Sequence, residues 1–280
     1  MARRTVSVSP GPPVAEKRGT HHRRRYLTAS AGKSGNRSHP IILVPARMAS
    51  SRLPGKPLAP IAGEPMIVQV WRRAVESGVG RAVVACAEQE IADAVRASGG
   101  EAVLTDPDLA SGTDRVCAAL AEIDPERRHD RVVNLQGDMP TLDPRILVQA
   151  LEPLDTLGCD IATLVNATTD EEERQDPNTV KAVVSWINGD LGRALYFTRA
   201  TAPWGEGPVY HHIGIYAFAR DALERFSGLP PSPLERREKL EQLRALENGM
   251  TIGVRRVESI PFGVDTPHDL ERARKILESA

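Results

Sequence analysis

The eleven residues that begin at Arg47 hold three cations (Arg47, Arg52 and Lys56), Ser50, Ser51 and a flexible Gly55 flanked by Pro54 and Pro57. Backbone N–H groups and cations of such a loop neutralise phosphate charge, and the prolines hold its shape. The loop is not a G-x-G-x-x-G dinucleotide fingerprint, so the chemistry it fits is triphosphate binding. Two aspartates offer a metal to go with it: Asp138 in Gln136-Gly137-Asp138-Met139-Pro140 and Asp265 in Gly263-Val264-Asp265-Thr266-Pro267. Mg²⁺ takes one or two carboxylates plus phosphate oxygens. Each aspartate alone reads equally as a helix cap; the pair, in a chain with a polycationic loop, points to a metal–triphosphate site. Gly32-Lys33-Ser34 looks like the end of a phosphate-binding P-loop, but Leu27 stands where its first glycine belongs and no strand precedes it.

The segments around these loops set their positions. Residues 41–44, Ile-Ile-Leu-Val, form a continuous apolar run of the kind buried on both faces of a parallel sheet. Further strands are expected at 82–86, 102–104 and 131–135, separated by helices at 65–78, 88–98, 111–123 and 144–157, with Pro65 at a helix start and Gly78 at a stop. This alternation predicts a doubly wound, mostly parallel α/β sheet, whose ligands lie beyond the carboxyl ends of the strands. Both the cationic loop and Asp138 fall at such ends. The second half reads as a smaller β-rich insertion, with strands at 160–166, 180–186, 194–197 and 212–218. One long helix at 232–247, a strand at 251–257 and a last helix from Pro267 close the chain.

Across 280 residues the net charge is −1, with three cysteines (Cys86, Cys117, Cys159) far apart. That excludes a disulfide scaffold and any C-x-x-C motif, and implies a reducing compartment. No apolar run is long enough to span a membrane, so no membrane association is expected. Residues 1–39 hold nine Lys/Arg and one Glu, net +8, while residues 40–280 hold 27 basic and 36 acidic residues, net −9. A globule at −9 is a poor general binder of nucleic acid. Residues 1–39, rich in Pro, Gly, Ser and Arg without apolar periodicity, read as a disordered basic tail. The tail lacks a secretory apolar stretch. It is compatible with a transit peptide and with an upstream start codon that reads non-coding sequence. Residues 40–280 read as one catalytic domain.

The ordered set Arg47-x-x-x-Ser51-Arg52-Leu53-Pro54-Gly55-Lys56-Pro57, Ser111-Gly112-Thr113-Asp114-Arg115, Asn134-Leu135-Gln136-Gly137-Asp138, His212-Ile213-Gly214-Ile215-Tyr216, Pro233-Leu234-Glu235, Glu241-Gln242-Leu243-Arg244 and Gly263-Val264-Asp265-Thr266-Pro267 resembles the 3-deoxy-manno-octulosonate cytidylyltransferase family. The resemblance covers about residues 40–280. It implies a nucleotide-diphospho-sugar transferase-like fold. It also implies a reaction: CTP and the eight-carbon sugar acid Kdo give CMP-Kdo and pyrophosphate with Mg²⁺, a cytoplasmic step of lipopolysaccharide biosynthesis carried out by a homodimer. The anomeric hydroxyl attacks the α-phosphorus in line, so positioning and charge neutralisation dominate catalysis.

Carried over position by position, Arg47, Arg52 and Lys56 look like the triphosphate clamp, with Asp138 a catalytic metal ligand beside them and Asp265 the second ligand. The loop 111–115, with Ser111, resembles part of the nucleotide site. Arg199 is similar to the arginine that meets the sugar carboxylate, a task suited to a planar guanidinium. Gln136, His212, Tyr216, Glu241 and Gln242 look like readers of sugar hydroxyls. On spacing alone His212 and Tyr216 read equally as core residues, and Glu241 and Gln242 as a solvated helix face. Two positions depart from the family pattern: Ala87 replaces a common aspartate and Met139 a common glutamate. The alternative substrate is a related 2-keto sugar acid, such as 8-amino-Kdo or a sialic acid.

Overall fold

The computed structural model describes residues 38–50 and 52–279. The tail expected at 1–39 lies outside the described residues but for Ser38 and His39, as do Ser51 and Ala280. The first half is built from β1 (Pro40–Ala46), the short hairpin β2 (Pro60–Ile61) and β3 (Glu64–Pro65), α1 (Met66–Glu76), β4 (Arg81–Cys86), α2 (Gln89–Ala97), β5 (Glu101–Leu104), α3 (Gly112–Ile123), β6 (Arg131–Asn134) and α4 (Arg145–Leu157). The second half follows with β7 (Ile161–Thr168), α5 (Glu171–Gln175), β8 (Lys181–Asn188), β9 (Leu191–Thr198), β10 (Val209–Ala219), α6 (Arg220–Ser227), α7 (Pro233–Glu238), α8 (Gln242–Glu247), β11 (Ile252–Arg256) and α9 (Pro267–Glu278).

One nine-stranded sheet runs β5-β4-β1-β6-β10-β7-β11-β9-β8. Strands β5, β4, β1 and β6 are parallel, as expected for βαβ crossovers. The β-rich insertion extends this sheet: β10 pairs antiparallel with both β6 and β7, and β8 with β9. The apolar run of β1 is buried on both faces for a period-2 reason. Ile42 and Val44 pack with Ile67, Val68 and Val70 of α1 and Leu147 of α4. Ile41 and Leu43 pack with Val116 and Leu120 of α3 and Phe226 of α6. Helices therefore cover both faces of a mixed sheet. Its order reverses between β1 and β6, which opens a crevice beyond their carboxyl ends.

Three expectations need correction. The helix expected at 232–247 is two helices, because Lys239 adopts a left-handed conformation (φ 56°, ψ 47°) that ends α7 and turns the chain into α8. No residue of α7 is buried, whereas Leu240, Leu243 and Ala245 enter the core, so a straight helix could not serve both environments. Arg244, bonded to Glu235 through Nε at 2.9 Å and Nη2 at 2.5 Å, locks the two helices together. The helix α6 was not expected; its Ala222, Leu223 and Phe226 bury one face in only eight residues. The short α5 was not expected either and buries nothing.

Candidate active site

Gly137 lets the crevice close around its acids. A Cβ there would lie 2.9 Å from the Pro45 carbonyl oxygen, so only glycine lets the turn after β6 pass the end of β1. The next residue, Asp138, leaves that turn. Asp265 arrives from far along the chain, fixed by two devices. Val264 N–H donates to the Asp138 carbonyl at 2.8 Å. Val264, Leu270 and Ala273 also form a small core with Ile61 and Met66. Neither aspartate is a cap: Thr266 caps α9 in a capping box with Asp269, and Pro144 precedes α4.

Lys56 joins the two. Its Nζ donates to Asp138 Oδ2 at 2.9 Å, Asp265 Oδ1 at 3.1 Å and the Val264 carbonyl at 3.0 Å. Burial by itself lowers the Lys56 pKa, but the two carboxylates outweigh it and hold it above the ordinary value, so the ammonium stays charged. Arg52 pairs with the other side of Asp265, Nη2 to Oδ2 at 2.9 Å. Lys56 and Arg52 of the expected clamp thus form one cluster with the two expected metal ligands. It borders a cleft of about 390 Å³ lined by Arg47, Arg52, Lys56, Arg115, Gln136 and Asp138 among others. Ser111 and Gly112, at the start of α3, line the same cleft, and Ser111 accepts the Asp114 N–H at 3.1 Å as the cap of α3. A larger cleft of about 660 Å³ carries Arg145, Arg255 and Arg256, each already paired with Asp143 or Asp190, and so offers no free cation cluster.

Gln136 leads from this cleft to the second group of residues. Its Nε2 donates to Asn134 Oδ1 at 3.4 Å, Asn134 Nδ2 to Thr113 Oγ1 at 3.4 Å, and Thr113 Oγ1 to Glu241 Oε2 at 2.6 Å. Glu241 Oε1 is buried with no hydrogen-bond partner among the described residues, and Gln242 Nε2 is in the same state. Both residues, with Thr113 and the half-buried Tyr216, line a small cavity. Unsatisfied buried polar atoms cost free energy, so a site that presents them is shaped for a polar ligand. The Tyr216 ring lies tilted at 5.5 Å from His212, and His212 meets Phe197 edge-on at 4.9 Å, centroid to centroid. A bulge in β10 between Ile213 and Tyr216 bends the strand here. His212 Nε2 lies 3.0 Å from Thr163 Oγ1. Burial, with the nearby His211, pushes the His212 pKa down to about 3, so its ring is neutral at ordinary pH. Burial pushes the Tyr216 pKa up, and its hydroxyl stays protonated.

Arg199 stands at the end of β9, where its Nε donates to the Glu238 carbonyl at 2.8 Å and its Nη1 to the Pro177 carbonyl at 2.8 Å. Its own N–H donates to Glu238 Oε2 at 3.0 Å. The break at Lys239 makes this possible, since it turns Glu238 to β9 and Glu241 to α3.

Sequence reasoning gave no role of their own to Arg115, Thr113, Asn134 and Glu88. Arg115 is buried and lines the cleft, its Nη1 bonded to Thr105 Oγ1 at 2.5 Å and the Asp106 carbonyl at 3.1 Å. Thr113 and Asn134 stood within the quoted motifs, and for Asn134 a polar residue at the buried end of a strand was the available signal. Glu88, next to the departing Ala87, accepts the Met48 N–H at 3.0 and 3.1 Å and anchors the cationic loop. Met139, the other departure, packs in the core with Leu142 and Ile146. Cys86 and Cys159 are buried and free, and burial pushes both thiols up to about 11, so neither is a nucleophile at neutral pH.

The sequence profile of the family described as cytidylyltransferase matches residues 41–252. The 3-deoxy-manno-octulosonate cytidylyltransferase of Parvibaculum lavamentivorans is 67% identical over 239 residues, 85% of this chain and 93% of that protein. The chain belongs to the 3-deoxy-manno-octulosonate cytidylyltransferase family. The enzyme of the same name from Paramagnetospirillum magneticum is 61% identical and aligns with 86% of this chain and 98% of its own length. A solved structure of CMP:2-keto-3-deoxy-manno-octonic acid synthetase complexed with CTP superposes with a TM-score of 0.79 at 40% identity, covering 86% of this chain and 99% of that one. A cytidylyltransferase from Leptospira borgpetersenii, at 19% identity and TM-score 0.56 over 87% of this chain and 88% of that one, shares the fold. This family member is a nucleotidyltransferase. Among the described residues no helix is long and apolar enough to cross a membrane.

Proposed function

We infer that this chain transfers CMP from CTP to the anomeric hydroxyl of Kdo and releases pyrophosphate. The observation that carries this reading is the junction at Gln136. One crevice brings a cationic, carboxylate-bearing cleft into contact with two buried polar atoms that lack a hydrogen bond, Glu241 Oε1 and Gln242 Nε2. A triphosphate suits the first, and a polyhydroxylated acid suits the second.

In the proposed reaction the anomeric oxygen forms a bond to the α-phosphorus while the bond to the β-phosphate oxygen breaks. Arg47, Arg52 and Lys56 offset the charge that builds on the triphosphate and the departing pyrophosphate. Arg199 holds the sugar carboxylate. Neutral His212, protonated Tyr216, Gln136, Glu241 and Gln242 orient the hydroxyls, which fixes the line of attack.

Asp138 and Asp265 fit Mg²⁺: they are hard oxygen donors, two in number, beside a phosphate-binding cleft. Among the described residues no group of three or more His, Cys, Asp or Glu gathers, so phosphate oxygens and water would complete the ligand set. Bound with CTP, Mg²⁺ would supply further neutralisation of the triphosphate. Lys56 and Arg52 together offset the charge of the two carboxylates in this structure.

The same reading places the chain in the cytoplasm, in lipopolysaccharide biosynthesis, as a homodimer. Exposed Ile187 of β8, Leu195 of β9 and Trp204 of the loop after β9 support a contact between copies. The test is turnover with CTP and Kdo against 8-amino-Kdo and a sialic acid. Preference for Kdo supports the reading; turnover of a relative without turnover of Kdo sinks it. Sedimentation checks the dimer, and a single protomer mass contradicts it.

A further inference from the structure

Thr113 is 4% exposed and sits in the first turn of α3, yet it does no capping there, because Ser111 is the cap. A threonine deeper in a helix can bond back to a carbonyl of the preceding turn, but in the first turn there is no such carbonyl. Here the hydroxyl donates instead to Glu241 Oε2 at 2.6 Å, across 128 residues of sequence, and accepts from Asn134 Nδ2 at 3.4 Å. A short bond from a hydroxyl to a carboxylate is charge-assisted and directional. It fixes one carboxylate oxygen, and the other, Oε1, is left buried without a hydrogen-bond partner beside Tyr216 and Gln242. Arg244 Nη2, at 3.8 Å from Oε1, is too far for a hydrogen bond. The neighbours of Thr113 on the other side, Gly112 and Ser111, line the nucleotide cleft.

We propose that Thr113 is a positioning residue that aims Glu241 at the sugar and ties its orientation to the α3 terminus that borders the nucleotide. This rests on the reading of Glu241 as a reader of sugar hydroxyls. A single hydroxyl thereby links the two substrates: the helix end that meets the nucleotide also holds the carboxylate that meets the sugar. Threonine is needed for its hydroxyl. Valine has the same shape and cannot donate, and serine retains the donor.

The test is steady-state kinetics of the full chain with CTP and Kdo, for Thr113→Val, Thr113→Ser, Glu241→Gln and the double variant Thr113→Val/Glu241→Gln. Thr113→Val is expected to raise KM for Kdo by about tenfold or more, the effect of losing a hydrogen bond to a charged group, with KM for CTP within about twofold. Thr113→Ser should restore a near-parental KM for Kdo. The double variant should be no worse than Glu241→Gln, since the hydroxyl acts through that carboxylate. A parental KM for Kdo in Thr113→Val, with Glu241→Gln impaired, overturns the proposal and leaves the Glu241 reading standing. A parental KM for Kdo in Glu241→Gln overturns that reading and the proposal with it. Additive effects in the double variant, or serine as impaired as valine, also overturn the proposal. Should the valine variant fail to fold, Thr113→Ala against Thr113→Ser makes the same comparison with two smaller side chains.

Discussion

Lys56 carries the charge balance of the cleft, bonded at once to Asp138, Asp265 and a main-chain carbonyl. Its replacement by alanine should raise KM for CTP strongly; an unchanged dependence on CTP concentration contradicts its place in the clamp. Asp138→Asn and Asp265→Asn should each lower kcat by about two orders of magnitude or more, several kcal/mol of lost charge stabilisation at a metal–phosphate site. Near-parental rates at saturating Mg²⁺ remove that residue from the metal site. His212 gives a prediction in pH. Its folded pKa of about 3 lies below the ordinary 6.5. The unfolded chain therefore takes up a proton that the folded one refuses, and this ring costs stability as pH falls from 6.5 towards 3. Denaturant midpoints measured across that window should fall less steeply for His212→Asn than for the parent; equal slopes contradict the assignment.

The break between α7 and α8 turns Glu238 to the end of β9 and Glu241 to the start of α3. Lys239 takes the left-handed conformation that permits it. A β-branched residue resists that conformation, so Lys239→Val should cost about 1–2 kcal/mol of stability and raise KM for Kdo, whereas Lys239→Gly should do neither. Equal KM values in both variants contradict a link between the turn and the site. Gly137→Ala should lower the melting temperature and the turnover rate together, because its Cβ meets the backbone of β1 at 2.9 Å.

The strands and helices around the cleft were legible because period-2 burial and Gly/Pro punctuation are local signals. The 41–44 run, the loop after it and the Gln136-Gly137-Asp138 turn needed nothing else to be placed at a switch point. The turn at Lys239 was not legible: no glycine marks it, and only the competing burial of Leu240 and Leu243 produces it. The partnership of Asp138 with Asp265 was suggested by chemistry, but the Val264 bond that sets their spacing is a tertiary contact. Likewise, Thr113 looked like part of a nucleotide loop until Glu241 was found folded against it.

At the scale of the molecule, an acidic body offers a triphosphate one cleft where Arg47, Arg52, Lys56 and Arg115 gather. The segment Ser38–Ala280 is a compact unit by itself, and the match to the cytidylyltransferase profile starts at residue 41. A chain that starts at Ser38 should therefore keep the kcat and KM values of the full chain; a severalfold loss would show that residues 1–37 take part. Salt tests the local placement of charge: KM for CTP should rise with ionic strength, as exposed Arg47 and Arg52 are screened. The most direct measurement is the identity of the product formed from CTP and Kdo, by mass and phosphorus resonance, with and without Mg²⁺. The account predicts CMP-Kdo and one equivalent of pyrophosphate, dependent on Mg²⁺ and formed about two orders of magnitude more slowly by Asp138→Asn. Pyrophosphate without a CMP–sugar adduct, or the same product at the same rate from the Asp138→Asn chain, would contradict it.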